Sequence, residues 1–202
     1  MNKASEQMKN KKSSRDKNDV LEYALYLLAL GCSLYYLLTE HVITRKVTNP
    51  LIAILILLFV RYLIEVRKVK ISPILRLSFL VFMFMTYFLA FEFDFYWRIK
   101  HYDKFLHFLS GILFCFVGLS LFEHINRKET KINVSKGTVL LFMFFFSIST
   151  TCCWEILEFI TDHFGFNAQR GSLTDTMLDL TNGALGALVG SIFMYKRIIN
   201  IK

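Results

Sequence analysis

Asp103 and His107 stand four residues apart, a spacing that puts a carboxylate and an imidazole on one face of a helix. Glu155, Glu158 and Asp162 follow at helical spacing, and Asp175, Asp179 and Asn182 do the same further on. All three groups adjoin strongly apolar sequence. Ionisable side chains at or within a bilayer cost free energy and face a protein interior or a water-filled cavity, so a set of them marks a functional site. Carboxylates with one imidazole suit a divalent metal such as zinc, manganese or iron, or magnesium and calcium if His107 stays out of the coordination shell. Such an ion activates water or polarises a phosphoryl or acyl group, and a spare carboxylate serves as general base. On this reading the candidate ligands are Asp103, His107, Glu158, Asp175 and Asp179, and the candidate catalytic groups are Glu155, Glu158 and Asp179.

Charge balance sharpens the expectation. Asp103, Glu155, Glu158, Asp162, Asp175 and Asp179 offer six negative charges, with Lys104 and Arg170 as the fixed positive charges nearby in sequence. Like charges crowded where solvation is poor call for protons or for a compensating cation. Plainer roles are also open to several of these residues. Lys104 and Arg170 can pair with Asp103 and Asp175 at the interface, Thr174 or Asp175 can cap a helix, and Asp162 can lie in headgroup water.

Helices must carry these residues, and the composition says which kind. With 202 residues, 54% of them hydrophobic and 21 phenylalanines, the chain reads as one all-α, polytopic membrane bundle. A span needs roughly 20 mostly apolar residues. Six stretches approach that length, at about residues 20–38, 50–66, 74–93, 105–122, 138–161 and 174–194. Residues 1–19 form a basic polar stretch, expected to be a disordered cytoplasmic tail ahead of a membrane domain over 20–202. Thr39, Glu40 and His41 follow the first run in place of a small-residue cleavage site, so a retained span is expected rather than a signal peptide.

Lys and Arg set the orientation. With both termini in the cytoplasm, 18 of the 24 basic residues fall on the inner side and six on the outer. Those inner clusters suit anionic lipid at the cytoplasmic face, which explains the net charge of +8 without nucleic acid as a partner. In this topology the fourth span begins, the fifth ends and the sixth begins on the extracytoplasmic side. Three segments therefore bring their polar groups to one layer. On the sixth span Asp175, Asp179 and Asn182 continue into Gly183, Gly186 and Gly190, small residues that let a neighbouring helix approach closely. Arg61 and Glu65 read as an ion pair at an inner helix end, and Glu92 and Asp94 as rim residues. HExxH, GxSxG, Walker and GxGxxG patterns are absent.

The string from Tyr102 through Asp103, Lys104 and His107 to Gly111, then Trp154 to Phe159 with Glu155 and Glu158, then Asp175 to Leu180 with Asn182 and Gly186, resembles the YjdF-type family of bacterial inner-membrane proteins. More loosely it is similar to VanZ-like membrane proteins, which are associated with teicoplanin resistance. The stretch around Arg170 matches the VanZ-like pattern only in part, which weighs against a resistance role. The resemblance spans about residues 78–195 and implies a multi-pass protein of the cytoplasmic membrane with no assigned reaction. Three functions fit: a metal-dependent enzyme on a lipid or lipid-linked substrate, a small proton- or cation-coupled transporter, and a non-catalytic envelope protein that binds lipid. Lys104, Asn182 and Arg170 complete the polar site in each.

Overall fold

The structure, a computed structural model, describes residues 3–41, 44–126, 134–163 and 173–199, with side chains from residue 17 to residue 195 of these. Among them there are helices and no strands, as a backbone in hydrocarbon requires when no sheet closes into a barrel. Among the described residues six helices are long and apolar enough to cross a membrane: Lys17–Glu40, Arg45–Glu65, Pro73–Glu92, Tyr102–Ile125, Lys136–His163 and Leu173–Tyr195. Each overlaps one of the six expected spans.

The chain divides into two compact units, Met1–Ile99 and Lys100–Lys202. The first holds α1 (Lys3–Glu40), α2 (Arg45–Glu65), α3 (Pro73–Met83) with a π-helical continuation over Phe84–Glu92, and the short α4 (Phe95–Arg98). The backbone of α1 is helical back to Lys3, upstream of the expected start at Val20. Lys, Glu, Gln, Met and Ala in that stretch are good helix formers. Asn18 at its end is buried and donates from Nδ2 to the Pro73 carbonyl at 2.9 Å. Pro73 occupies the first turn of α3, where its missing N–H costs nothing, and Ser72 caps that turn by accepting from the Leu75 amide. Leu25 and Ala29 of α1 pack with Ala53 and Leu57 of α2 and with Leu80, Met83, Tyr87 and Phe88.

The second unit is a three-helix bundle of α5 (Tyr102–Ile125), α6 (Lys136–His163) and α7 (Leu173–Ile199). Its apolar core is small: Cys115, Leu119, Met143, Ala187 and Met194. Large apolar side chains such as Phe105, Leu141, Phe145, Ile192 and Phe193 are exposed, the arrangement of a protein whose outer solvent is lipid. Cys32, Cys115, Cys152 and Cys153 are all free thiols.

Candidate functional site

Backbone contact between α5 and α7 positions the site. A Cβ added at Gly111 would lie 2.2 Å from the Gly183 carbonyl oxygen, and one at Gly186 would lie 2.0 Å from that of Phe108. Only glycine allows the two backbones so near. On α6, Ser147 donates to the Gly111 carbonyl at 2.7 Å, and Thr151 fills the space that Gly183 leaves by lacking a side chain. One turn from this contact layer toward the start of α5 lies His107, and one turn further Asp103. One turn back along α7 lies Asp179, and one turn onward along α6 lies Glu155. Each helix thus lifts an ionisable residue off the same small-residue floor into a shared polar layer.

In that layer Lys104 and His107 organise the carboxylates. The Lys104 ammonium hydrogen-bonds Asp175 and approaches Asp179 Oδ2 at 3.0 Å and Asp103 Oδ2 at 3.4 Å. His107 Nε2 lies 3.3 Å from Glu155 Oε1, 3.7 Å from Asp103 Oδ1 and 3.9 Å from Asp179 Oδ1. The deep members are nearly dry: Asp179 is 3%, Glu155 4% and His107 6% exposed. Glu155 Oε1 and Asp179 Oδ1 are buried without a hydrogen-bond partner. Two orphaned acceptors beside an imidazole demand compensation, because an unmet buried carboxylate oxygen bears its full desolvation cost. Asp103, His107 and Asp179 together offer donor atoms all within 4.8 Å of one another, close enough to share one ion.

A family model described as "Predicted membrane protein (DUF2238)" matches residues 21–200. The chain belongs to this family. A DUF2238 assignment over that length agrees with the YjdF-type resemblance, which rested on the last four spans alone. An uncharacterized protein of Thermotoga maritima is 33% identical over 106 residues, covering 52% of this chain and 53% of that protein. The alignment therefore spans about half of the relative's length. No solved structure matches.

Within this DUF2238 protein the candidate residues divide. Asp103, Lys104, His107, Glu155, Asp175 and Asp179 come together as described. Glu158 takes a hydrogen bond from Trp154 Nε1 at 2.7 Å and does not belong to the group of donor atoms that can share an ion. Asn182 donates its amide to the Leu178 carbonyl of its own helix. Arg170 lies outside the described residues.

Of a second ionic cluster, in the first unit, the sequence reading held only the Arg61–Glu65 pair. Arg76 hydrogen-bonds Glu22 and also Asp19 Oδ1, the latter at 2.6 Å. Glu22, 3% exposed, accepts further from Tyr26 at 2.8 Å and pairs with Arg61 at 3.5 Å, while Arg61 also holds Glu65 at 3.0 Å. The available signal was Asp19 and Glu22 three residues apart at the head of an apolar run, facing an arginine counted only as a topology charge. Glu92, expected at the rim, has both carboxylate oxygens buried and unpartnered at the end of the π-helical segment.

Proposed function

We propose that this protein is a metal-dependent enzyme of the cytoplasmic membrane, acting from the extracytoplasmic side on a lipid or lipid-linked substrate. The observation that supports it best is the pair of buried, unpartnered oxygens of Glu155 and Asp179 directed at His107. A divalent cation there meets the excess of carboxylates over the one ammonium of Lys104. The chemistry is hydrolysis. Water held in the site loses a proton to a carboxylate, its oxygen attacks phosphorus or a carbonyl carbon, the bond to the leaving oxygen breaks, and the proton passes to that oxygen. The basic residues on the opposite side of the bilayer would hold the protein in register with anionic lipid at the cytoplasmic face.

The ion pairs of Lys104 with Asp175 and Asp179 favour a second reading, in which the cluster only fastens α5 to α7. The two readings part experimentally. Purified protein is incubated with extracted envelope lipids, with and without added divalent ions, and the products are followed by mass spectrometry. Metal-dependent release of a headgroup or acyl chain, abolished by Glu155→Gln in protein of unchanged melting temperature, supports the enzyme. Unaltered lipids, together with Glu155→Gln that changes only the melting temperature, support the fastening role.

A further inference from the structure

Asp103 and Asp179 each divide their two oxygens between different neighbours. Their Oδ2 atoms face Lys104, at 3.4 and 3.0 Å, and their Oδ1 atoms face His107, at 3.7 and 3.9 Å. The ammonium therefore occupies the back of both carboxylates and leaves the front oxygens to converge on the imidazole. Asp179 Oδ1, on a side chain 4% exposed, has no hydrogen-bond partner there.

We propose that Asp103 Oδ1, His107 Nε2 and Asp179 Oδ1 bind a zinc-class ion, with one coordination position left for water beside Glu155 and with Lys104 positioning the two aspartates from behind. This deepens the metal-dependent reading above and rests on it. In a tetrahedral site with bonds of about 2.0–2.1 Å, neighbouring donors stand about 3.3 Å apart. The observed nitrogen-to-oxygen separations of 3.7 and 3.9 Å close to that value through side-chain shifts of about half an ångström. The donor set selects the metal class, because magnesium and calcium take oxygen ligands whereas an imidazole suits zinc and related first-row ions. Three protein ligands with an open position are the pattern of a catalytic zinc rather than a structural one.

Glu155 falls outside this ligand set. Its Oε1 reaches His107 Nε2 at 3.3 Å but does not join the group whose donor atoms all lie within 4.8 Å. An unpartnered oxygen next to the open position is placed to accept a proton from bound water. Glu158 and Asp175, candidate ligands by sequence, leave the set: neither belongs to the group of donor atoms close enough to share an ion, and Glu158 is engaged by Trp154.

The test is metal reloading of the full chain in detergent. Chelator-stripped protein is given zinc, cobalt or magnesium alone, desalted and assayed for bound metal, with melting temperature and gel-filtration profile as controls for folding. The expected result is about one zinc per chain retained with no magnesium, and the intense visible absorption of four-coordinate cobalt in the cobalt form. Asp179→Asn and His107→Gln should each weaken zinc binding sharply, while Glu155→Gln and Glu158→Gln should keep it. Lys104→Gln should weaken it about tenfold to a hundredfold, as loss of an orienting partner does. Magnesium held in preference to zinc, or zinc lost from Glu155→Gln as fully as from Asp179→Asn, overturns this ligand assignment but leaves the metal-dependent function standing. Tighter zinc in Lys104→Gln makes the lysine a competitor and overturns its positioning role. Wild-type protein that retains no ion of any kind sinks both the assignment and the function.

Discussion

Glu155 and Glu158 lie less than one turn apart on α6, and rotation about the helix axis separates their fates. Ser147, Thr151 and Glu155 recur every fourth residue and are all buried, at 0%, 3% and 4% exposure. Trp154 and Glu158 follow the adjacent line, where the indole N–H satisfies the carboxylate. The helical spacing of Glu155, Glu158 and Asp162 therefore covers two lines, and the small hydroxyl residues below Glu155 were the legible sign of the inward one. The same reasoning at residue scale makes Lys104 the pivot of the charge balance. Lys104→Met leaves Asp175, Asp179 and Asp103 facing one another without their cation. Removing one partner from a buried ionic group costs about 3–5 kcal/mol, so the variant should melt well below wild type in detergent. Adding Asp179→Asn to it should restore part of the loss, and a double mutant no more stable than Lys104→Met would show that the pairing is not what sets the stability. Glu22→Ala in the first unit tests a parallel case. It strips Arg76 of its most buried partner and leaves Asp19, so destabilisation of about 3 kcal/mol is expected. Scanning calorimetry of the two proteins would show it, and an unchanged transition would count the cluster as mere topology charge.

Glycines at helical spacing carry more of the element-scale argument than the charged residues do. Gly183, Gly186 and Gly190 were readable as a face for close approach, whereas the backbone of Phe108 on α5, which Gly186 meets, depended on helix rotation and was not. A methyl at position 186 would meet the Phe108 carbonyl at 2.0 Å, and backbone cannot swing aside as a side chain can. Gly186→Ala should force α5 from α7, costing about 1–3 kcal/mol or more, and should separate His107 from Asp179. Gly31→Ala is the matched control, because nothing lies within 4 Å of the added carbon. The expected result is a lowered melting temperature and lost metal retention in the first variant and neither in the second. Equal behaviour of the two would contradict the backbone contact. Arrangement of the first unit was less legible for a related reason. Apolar residues cover α2 and the membrane-crossing part of α1 almost all round, so periodicity gave no facing direction, and the π-helical segment over Phe84–Glu92 has no sequence mark of its own.

Six apolar stretches separated by short polar ones made the number of spans readable at the scale of the whole molecule, since length and hydropathy suffice for that. Which side of the membrane carries the site is a question about loops, and the distribution of Lys and Arg, 18 to six, makes the extracytoplasmic side the expectation to test. Arg98 and Glu123 are exposed residues near opposite ends of the intervening crossing, Arg98 before the start of α5 and Glu123 near its end. Cysteine at Arg98 should react with a membrane-impermeant maleimide in intact cells, and cysteine at Glu123 only after permeabilisation. Parallel reactions on a variant lacking Cys32, Cys115, Cys152 and Cys153 remove the background of native thiols. The opposite labelling pattern would turn the Asp103, His107 and Asp179 layer toward the cytoplasm. The substrate would then have to be sought in the inner leaflet, while the ligand geometry, which depends only on how α5, α6 and α7 pack, would stand unchanged.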